Sequence, residues 1–301
     1  MNPLAESTMD ALARAGLNPG EVLRIASAAL DEDLGGPDGV DVTSVATIPA
    51  DQTDVADLVA RADGVVAGLP VAAAVFDLAA ARAGERVRFD HLAHDGQRVT
   101  KGDVVATVAG STRALLTAER TALNLLCRMS GVATHTRAWA DALDGTGATV
   151  LDTRKTTPGL RVLEKYAVRT GGGTNKRLGL YDVAMVKDNH KLAAGGVAAA
   201  YHRIRETFPD IPVQVEVTTV AEAIQAVEAG ARFLLCDNMS PASLRDVVAA
   251  VAGRAELEAT GGLTLDRAKE FAATGVDYLS VGALTHSSPI LDIALDLRVR
   301  G

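Results

Sequence analysis

The sequence predicts an α/β protein, with a parallel sheet and its covering helices in the second half and a separate, smaller α+β domain before it. Three observations lead to this prediction. Short aliphatic runs alternate with amphipathic segments from about Ala148 onward, a turn-rich pattern occupies the first 110 residues, and the apolar fraction is high. With 301 residues, the chain is long enough for one large domain or two modest ones.

The composition limits both the kind of core and the kind of partner. Apolar residues make up 48% of the chain and aromatic residues only 3%, so the core must consist mainly of Ala, Val and Leu. Such a core suits helices packed on a parallel sheet. The formal net charge of −8 argues against a general nucleic-acid binder and against a protein that binds membrane surfaces.

The first part of the chain predicts short strands separated by turns. Pairs such as Asp63-Gly64 and Asp95-Gly96 punctuate strand-like pieces, and one helical pattern covers residues 70–83. A longer helical pattern, residues 112–143, then joins the halves as one or two helices. We expect an N-terminal domain over residues 1–125, with residues 288–301 packing back on it, and a second domain over residues 126–287.

Six aliphatic runs in the second half predict parallel strands, and the amphipathic segments between them predict helices that end near a glycine. The predicted strands cover residues 148–152, 183–186, 213–217, 233–236, 256–259 and 278–281. The predicted helices include residues 220–229, 241–252 and 265–273.

Charged or glycine-rich residues occur at the end of every one of these strands. The carboxyl ends of parallel strands meet at one edge of a sheet and build the active sites of α/β proteins, so we expect a functional site there. The residues concerned are Asp152-Thr153-Arg154-Lys155, Lys187-Asp188-Asn189-His190, Glu216, Asp237-Asn238, Thr260-Gly261-Gly262 and Gly282-Ala283.

Positive charge is concentrated between Arg154 and Lys187, where eight basic residues and two acidic residues occur. In an acidic protein, this concentration predicts a small ligand with several negative charges, because Arg pairs with carboxylate or phosphate groups and Lys acts as a point charge. Arg154 and Lys155 lie directly at a strand end, whereas Lys165 and Arg169 fit an exposed basic helix equally well.

The glycines and isolated carboxylates indicate what the ligand contains. Gly261-Gly262 and Gly282 follow two late strands, where backbone N–H groups can approach phosphate oxygens closely. Glu216 and Asp237 could hold Mg²⁺, bind sugar hydroxyls or stabilise a developing positive charge; a salt bridge to Lys155 or Lys187 is the alternative. The chain lacks the zinc, dinucleotide and P-loop sequence patterns.

The remaining features predict a cytoplasmic protein. Cys127 and Cys236 lie inside aliphatic stretches, so we expect two buried, reduced thiols. The N-terminus has no signal-peptide pattern, and no window approaches the roughly 18 apolar residues that a membrane span requires.

Together, these strings resemble the quinolinate phosphoribosyltransferase family over nearly the whole chain. The most specific of them are DTRKTTPGLR, from Asp152 to Arg161, and KDNH, from Lys187 to His190. Further matches are EDLG at 32–35, DVTS at 41–44, GVVAG at 64–68, ERTALN at 119–124, Glu216-Val217, Asp237-Asn238, Gly261-Gly262 and SVGAL at 280–284.

The resemblance implies a fold and an activity. The fold is an N-terminal α/β sandwich domain followed by an incomplete α/β barrel of the type II phosphoribosyltransferases. The activity is the Mg²⁺-dependent transfer of phosphoribosyl from phosphoribosyl pyrophosphate to quinolinate, with loss of CO2, in NAD biosynthesis. It also implies a homodimer in which Arg120 reaches into the partner's site; whether dimers associate further stays open.

Roles for individual residues follow from the same resemblance. Arg154, Arg177, Lys187 and the partner's Arg120 would bind the two carboxylates of quinolinate. Phosphate groups would be held by Lys155, Gly261, Gly262, Gly282 and Ala283. Glu216 and Asp237 would lie beside the ribose and its Mg²⁺, which they would hold partly through substrate or water, and with Lys155 they form the predicted catalytic set. Thr153, Lys176, Thr260 and His286 complete the predicted substrate contacts; a structural role for His286, as for His190, is equally open.

One position departs from the family pattern. Many members have Asn-His-Arg where this chain has Asn175-Lys176-Arg177. Lysine keeps a cation but loses the titration of imidazole near neutral pH, which puts any proton-transfer role at this position in doubt.

Three other functions stay open at this point. The nearest is a phosphoribosyltransferase for another heteroaromatic acid, such as nicotinate. A second is a Schiff-base aldolase that uses Lys155 or Lys187. The third is a carrier module, since residues 95–103 resemble a biotinyl or lipoyl turn, although the modified lysine of such domains is missing.

Overall fold

The computed structural model describes residues 2–298, and these residues divide into two compact units. Of the described residues, the first unit contains 2–135, 157–172 and 288–298, and the second contains 136–156 and 173–287. Residues 299–301, part of the C-terminal segment predicted to pack on the N-terminal domain, lie outside the described residues. The first unit is therefore built from three separate stretches of chain.

Strands of the first unit form two antiparallel sheets. Their bounds are β1 Thr53–Ala60, β2 Gly64–Val65, β3 Arg88–His91, β4 Arg98–Val99, β5 Val104–Ser111 and β12 Ile293–Leu297. Four of them form a sheet in the order β12-β1-β5-β3, and β2 pairs with β4. The C-terminal strand β12 pairs with β1 from Ala56 opposite Leu297 to Ala60 opposite Ile293, so the end of the chain completes a sheet that the N-terminal part begins.

Helices of the first unit begin and end at recognisable signals. They are α1 Glu6–Arg14, α2 Pro19–Leu34, α3 Val42–Thr47, α4 Leu69–Arg82 and α6 Arg161–Thr170, together with most of α5 Thr112–Leu143. The Asn18 side chain accepts a hydrogen bond from the Glu21 N–H and so caps α2, which ends at Gly35 in the left-handed conformation. Phe76 of α4 lies 5.9 Å from Phe89 of β3, so the helix predicted at 70–83 packs against this strand.

The second unit contains the parallel sheet that the aliphatic runs predict. Its strands are β6 Thr149–Leu151, β7 Ala184–Val186, β8 Val213–Val217, β9 Phe233–Asp237, β10 Glu256–Thr260 and β11 Tyr278–Ser280. Every one lies at a predicted position, and the order is β6-β11-β10-β9-β8-β7 with all neighbours parallel. Within residues 2–298, no pairing joins β6 to β7, which agrees with the predicted incomplete α/β barrel.

Helices alternate with these strands and bury their apolar faces. They are α7 Asp188–Ala194, α8 Val197–Thr207, α9 Val220–Glu228, α10 Pro241–Val251, α11 Ala268–Ala272 and α12 Ala283–His286. The predicted helix at 265–273 begins with a short 3₁₀ turn, Leu265–Arg267, so its α-helical part is shorter than expected. Thr219 and Ser240 cap α9 and α10, respectively.

Two further sequence features have a structural counterpart. Cys127 and Cys236 are buried and not joined in a disulfide, as predicted. None of the helices formed by residues 2–298 combines the length and the apolar character that crossing a bilayer requires.

Candidate active site

The residues predicted at the strand ends line two cavities at the carboxyl edge of the six-stranded sheet. The arginine-lined cavity has a volume of about 310 Å³ and is lined by Thr153, Arg154, Lys155, Lys176, Arg177, Met185, Lys187, Glu216, Leu235, Asp237, Thr260 and Ser280. The glycine-lined cavity has a volume of about 600 Å³. It shares seven of those residues and adds Asn238, Gly261, Gly262, Leu263, Val281, Gly282, Ala283 and His286. Because they share a wall, the two cavities adjoin.

The positive charge is divided between the two units. Five of the eight basic residues between Arg154 and Lys187 line the arginine-lined cavity. The other three, Arg161, Lys165 and Arg169, lie in α6, which belongs to the first unit. Lys165 is only 1% exposed, so the interpretation as an exposed basic helix does not hold for it, whereas Arg169 is exposed.

A short segment beside β6 places Lys176 and Arg177 in the cavity. The Thr174 N–H donates to the Val150 carbonyl (2.9 Å), and the Asp152 N–H donates to the Thr174 carbonyl (3.2 Å), which extends the parallel pairing by one bridge. The fully buried Asp152 carboxylate then accepts from the Lys176 N–H and from the Asn175 side-chain amide, both at 2.7 Å. Asp152 therefore fixes the backbone from which both cations project.

Arg177 is held in one orientation by the backbone. Its guanidinium donates to the Val183 carbonyl at 2.9 Å, and the side chain is half-buried. Burial, followed by the nearby charge of Arg154, lowers the pKa of Arg177 from its usual value. An anion bound beside Arg177 would offset this repulsion, so the site favours an anionic ligand.

The strand tip that carries Lys155 is tied down by hydroxyl groups. The Lys155 N–H donates to the Thr153 hydroxyl (3.0 Å), and the Thr285 hydroxyl donates to the Lys155 carbonyl (2.9 Å). Gly282 lies against the Lys155 side chain, since a Cβ atom there would lie 3.2 Å from Lys155 Cδ and from His286 Nε2. Glycine therefore permits this close approach.

Lys176 forms an ion pair at the wall of the arginine-lined cavity. Its Nζ lies 2.5 Å from Oε1 of Glu258, and the side chains are 7% and 0% exposed, respectively. The same oxygen accepts a hydrogen bond from the Ser280 hydroxyl. Burial lowers the pKa of Lys176 and raises that of Glu258, and in both cases the partner's charge opposes the effect.

The two predicted metal-binding carboxylates lie on the wall common to both cavities. Glu216 is buried, and its Oε2 lies 3.6 Å from Nζ of Lys187, so the alternative salt bridge to Lys187 is present. Asp237 accepts from the Asn238 side chain at 3.0 Å. Among residues 2–298, no group of three or more His, Cys, Asp or Glu residues could hold a metal. Two carboxylates fit Mg²⁺ bound jointly with ligand phosphates rather than enclosed by protein ligands.

Gly261 occupies a position that other residues cannot. Its φ is +91°, and a Cβ atom would lie 2.2 Å from Oδ1 of Asn238 and 3.0 Å from the Asn238 nitrogen. Asn238 itself has a positive φ of 52° and donates its N–H to the Thr260 carbonyl at 2.9 Å. The loops after β9 and β10 are therefore in contact along the glycine-lined cavity.

The two histidines near the strand ends and Arg120 lie in three different parts of the structure. His286 lines the glycine-lined cavity, with its Nδ1 2.6 Å from the Ser287 hydroxyl. His190 Nδ1 accepts from the Lys187 N–H at 3.0 Å, a structural contact at the start of α7. Arg120 is exposed on α5 in the first unit, whereas both cavities are lined by residues of the second.

Sequence reasoning did not assign roles to Asp152, Glu258 or Ser280. Asp152 and Glu258 each hold the cavity residue Lys176, and Ser280, which lines both cavities, donates to Glu258. One signal was present in the sequence: Glu258 interrupts the aliphatic run Leu257-Glu258-Ala259, and a carboxylate in a buried strand requires a partner.

The parallel α/β sheet and its two adjoining cavities define an enzyme that acts on small, multiply anionic molecules. The model of the quinolinate phosphoribosyl transferase N-terminal domain matches residues 41–130, and that of the C-terminal domain matches residues 132–296. The chain belongs to the quinolinate phosphoribosyltransferase family, which confirms the resemblance read from its motifs.

Individual relatives agree with this assignment. The chain is 47% identical over 272 residues to a nicotinate-nucleotide pyrophosphorylase [carboxylating] of Mycobacterium leprae, covering 89% of this chain and 94% of the relative. It is 41% identical over 267 residues to a probable nicotinate-nucleotide pyrophosphorylase [carboxylating] of Bacillus subtilis, covering 88% and 90%. The structure is similar to that of NadC from Streptococcus pyogenes, with a TM-score of 0.89, 39% identity and coverage of 95% and 99%.

Proposed function

We propose that this protein transfers the phosphoribosyl group of phosphoribosyl pyrophosphate to quinolinate and releases CO2 and pyrophosphate, giving nicotinate mononucleotide for NAD biosynthesis. The observation that carries the proposal is the adjoining pair of cavities, one with five cationic side chains and the other rich in glycine. A planar dicarboxylate and a phosphorylated sugar are complementary to these two surroundings.

In this proposal, the arginine-lined cavity binds quinolinate. Arg154 and Arg177 can each offer two parallel N–H groups to a carboxylate, and Lys187 adds a point charge. The backbone contact of Arg177 supports its role, because it fixes the guanidinium before the ligand binds and so reduces the entropy lost on binding. A monocarboxylate such as nicotinate would leave part of this charge unpaired.

The glycine-lined cavity would bind phosphoribosyl pyrophosphate. Lys155 would pair with a phosphate group, and the backbone at Gly261, Gly262, Gly282 and Ala283 would accept the close approach of phosphate oxygens. Thr153, Thr260 and His286 also line this cavity and can supply polar contacts. Placing the sugar in one cavity and the ring in its neighbour brings the reacting atoms together.

The charges on the shared wall suit the chemistry. The ring nitrogen bonds to the anomeric carbon as the bond to pyrophosphate breaks, and the positive charge that develops on the sugar would be stabilised by Glu216 and Asp237. Mg²⁺, held by these carboxylates together with phosphate oxygens and water, would neutralise the leaving pyrophosphate. The resulting pyridinium accepts the electron pair of the bond to the adjacent carboxylate; CO2 leaves, and the ring carbon takes up a proton.

The assembly and the location are part of the same proposal. We propose a homodimer in which Arg120 of one protomer completes the partner's arginine-lined cavity, and its exposure on α5 is compatible with such a contact. The cytoplasmic location of the protein stays a prediction from the sequence.

The experiment is a turnover assay with phosphoribosyl pyrophosphate and Mg²⁺, supplied with quinolinate or with nicotinate, in which CO2 and mononucleotide are measured. The proposal expects CO2 release with quinolinate and no product with nicotinate. Omitting Mg²⁺ and adding a chelator should abolish turnover. If nicotinate but not quinolinate gave mononucleotide, quinolinate would not be the ligand of the arginine-lined cavity. The assignment of phosphoribosyl pyrophosphate to the glycine-lined cavity would still hold.

A further inference from the structure

The two members of the pair Lys176 and Glu258 have different positions relative to the arginine-lined cavity. Lys176 lines the arginine-lined cavity, whereas Glu258 lies behind it and is not among the residues that line either cavity. Oε1 of Glu258 contacts both the Lys176 ammonium and the Ser280 hydroxyl. Its other oxygen, Oε2, is buried and has no hydrogen-bond partner among the described residues. The contacts of the carboxylate are therefore directed to the side on which Lys176 lies.

The surroundings of Lys176 make its charge depend on Glu258. Arg177 and Lys187 lie near enough to disfavour a further positive charge, and burial acts in the same direction. The charge and the hydrogen bond of Glu258 favour the ammonium form, while the charge of Asp152 disfavours a second negative charge on Glu258. The other charged groups that line the same cavity are Arg154, Lys155, Glu216 and Asp237.

We propose that Glu258 is a positioning residue that fixes the Lys176 ammonium at the wall of the arginine-lined cavity and keeps it charged, so that Lys176 binds a carboxylate of the substrate. The inference rests on the proposed function, because it takes quinolinate as the ligand of this cavity. It also gives the lysine of this chain a definite part: a fixed cation at a position where many relatives have a titrating imidazole.

The test is the pH profile of kcat/KM for quinolinate in wild type and in Glu258→Gln, an isosteric change that removes the carboxylate. Without the Glu258 carboxylate, the buried Lys176 loses its proton at lower pH, so the alkaline limb of the profile should move to lower pH. Above that limb, KM for quinolinate should rise by about tenfold to a hundredfold, the range for one charge-assisted hydrogen bond. KM for phosphoribosyl pyrophosphate should change by less than about twofold, within the range of non-coupled sites.

Lys176→Met and the double variant Lys176→Met with Glu258→Gln separate positioning from folding. If Glu258 acts through Lys176, adding the glutamine to the methionine variant leaves KM for quinolinate and the pH profile unchanged. An equal loss from Glu258→Gln in both backgrounds would overturn the proposal, as would a wild-type profile and KM in Glu258→Gln alone.

A second pair of variants covers the case in which Glu258→Gln does not fold, since an uncompensated buried charge is strongly destabilising. Lys176→His places a side chain that titrates near pH 6.5 in water at this position, so the alkaline limb should move toward neutral pH. Adding Glu258→Gln to it should move the limb lower still, and an unchanged limb would overturn the proposal. Failure of the proposed function is seen separately, as absence of quinolinate-dependent CO2 release by the wild type.

Discussion

At the scale of single residues, Arg177 and Lys176 are each positioned by a hydrogen bond that involves the backbone. Arg177 donates to the Val183 carbonyl, and the Lys176 N–H donates to Asp152. The first interaction fixes the guanidinium and the second fixes the backbone of Lys176, and neither brings a negative charge against the cationic head group. These side chains are already ordered when the protein folds. Binding an anion therefore costs less conformational entropy, and more of the electrostatic attraction contributes to affinity.

Replacement of Arg177 by glutamine tests this arrangement. Arg177→Gln removes a cation and a pair of parallel N–H donors, so KM for quinolinate should rise by about 10- to 150-fold, the equivalent of 1.5–3 kcal/mol for a hydrogen bond to a charged group. KM for phosphoribosyl pyrophosphate should change much less, and steady-state kinetics with each substrate varied in turn measures both.

Arg245→Gln on the exposed surface of α10 is the matched control and should leave both KM values near those of the wild type. Equal losses for both substrates, together with a lower melting temperature, would contradict a binding role for Arg177 and indicate a structural one.

The strand-end residues could be predicted from the sequence because each follows a continuous aliphatic run, and parallel strands end at one edge. The supporting residues could not. Glu258 was visible as a charge inside a buried strand, but its partner Lys176 is 82 positions away, and only the sheet order brings them together. Lys165 shows the opposite limit, since the helical pattern around it gives no indication that its side chain is buried.

At the scale of elements, the loop after β10 depends on backbone conformations that side chains disfavour. Gly261→Ala places a Cβ atom at φ +91° and against Asn238. A strained backbone usually costs about 1–3 kcal/mol, and we expect this variant to lower the free energy of unfolding by more than that, because the contact with Asn238 adds to the strain. Affinity for phosphoribosyl pyrophosphate should fall as the loop moves. Urea denaturation and substrate titration measure the two effects.

Gly262→Ala is the matched control in the same loop. Its φ is +61°, but a Cβ atom there would meet nothing within 4 Å, so only the cost of the left-handed conformation, about 1 kcal/mol, applies. Equal stabilities of the two variants would show that the contact with Asn238 does not constrain the loop.

Helix α6 is anchored in the first unit by a buried carboxylate. Glu164 accepts from Arg128 (2.8 Å) and from the Thr157 N–H (2.9 Å) and hydroxyl (2.7 Å), and its side chain is 1% exposed. Glu164→Gln breaks a buried ion pair and leaves Arg128 without its partner carboxylate, which should cost about 3–5 kcal/mol of stability, measured by chemical denaturation.

The exposed pair of Arg267 and Glu270 provides the comparison for that variant. Glu270→Gln removes the same kind of contact where water screens it, so its denaturation midpoint should stay close to that of the wild type. A midpoint for Glu164→Gln that is also unchanged would contradict the anchoring role of Glu164.

At the scale of the whole molecule, the two units differ in how far apart in the sequence their contacting segments lie. The sequence predicts the six-stranded sheet well because aliphatic strands alternate regularly with amphipathic helices along the chain. The first unit depends instead on long-range contacts, such as Tyr166 donating to Asp95 (2.6 Å) and β12 pairing with β1. No local pattern encodes these contacts.

Removal of the C-terminal segment tests how far the first unit depends on it. A chain that ends after Ser287 lacks β12 and with it Leu291 and Ile293, each only 3% exposed, whose burial contributes about 1.5–3 kcal/mol per side chain. The strand β1 becomes an edge strand, so hydrogen exchange of its amides from Ala56 to Ala60 should accelerate strongly, while the amides of β9 in the six-stranded sheet keep their protection. Arg298→Gln, which removes the ion pair with Asp57 and a long contact with the Thr107 hydroxyl but keeps β12, should leave both sets of amides protected. Unchanged protection of β1 in the truncated chain would mean that the first unit holds its sheet without the returning strand; faster exchange in β9 as well would mean that the loss spreads beyond the sheet that β12 completes.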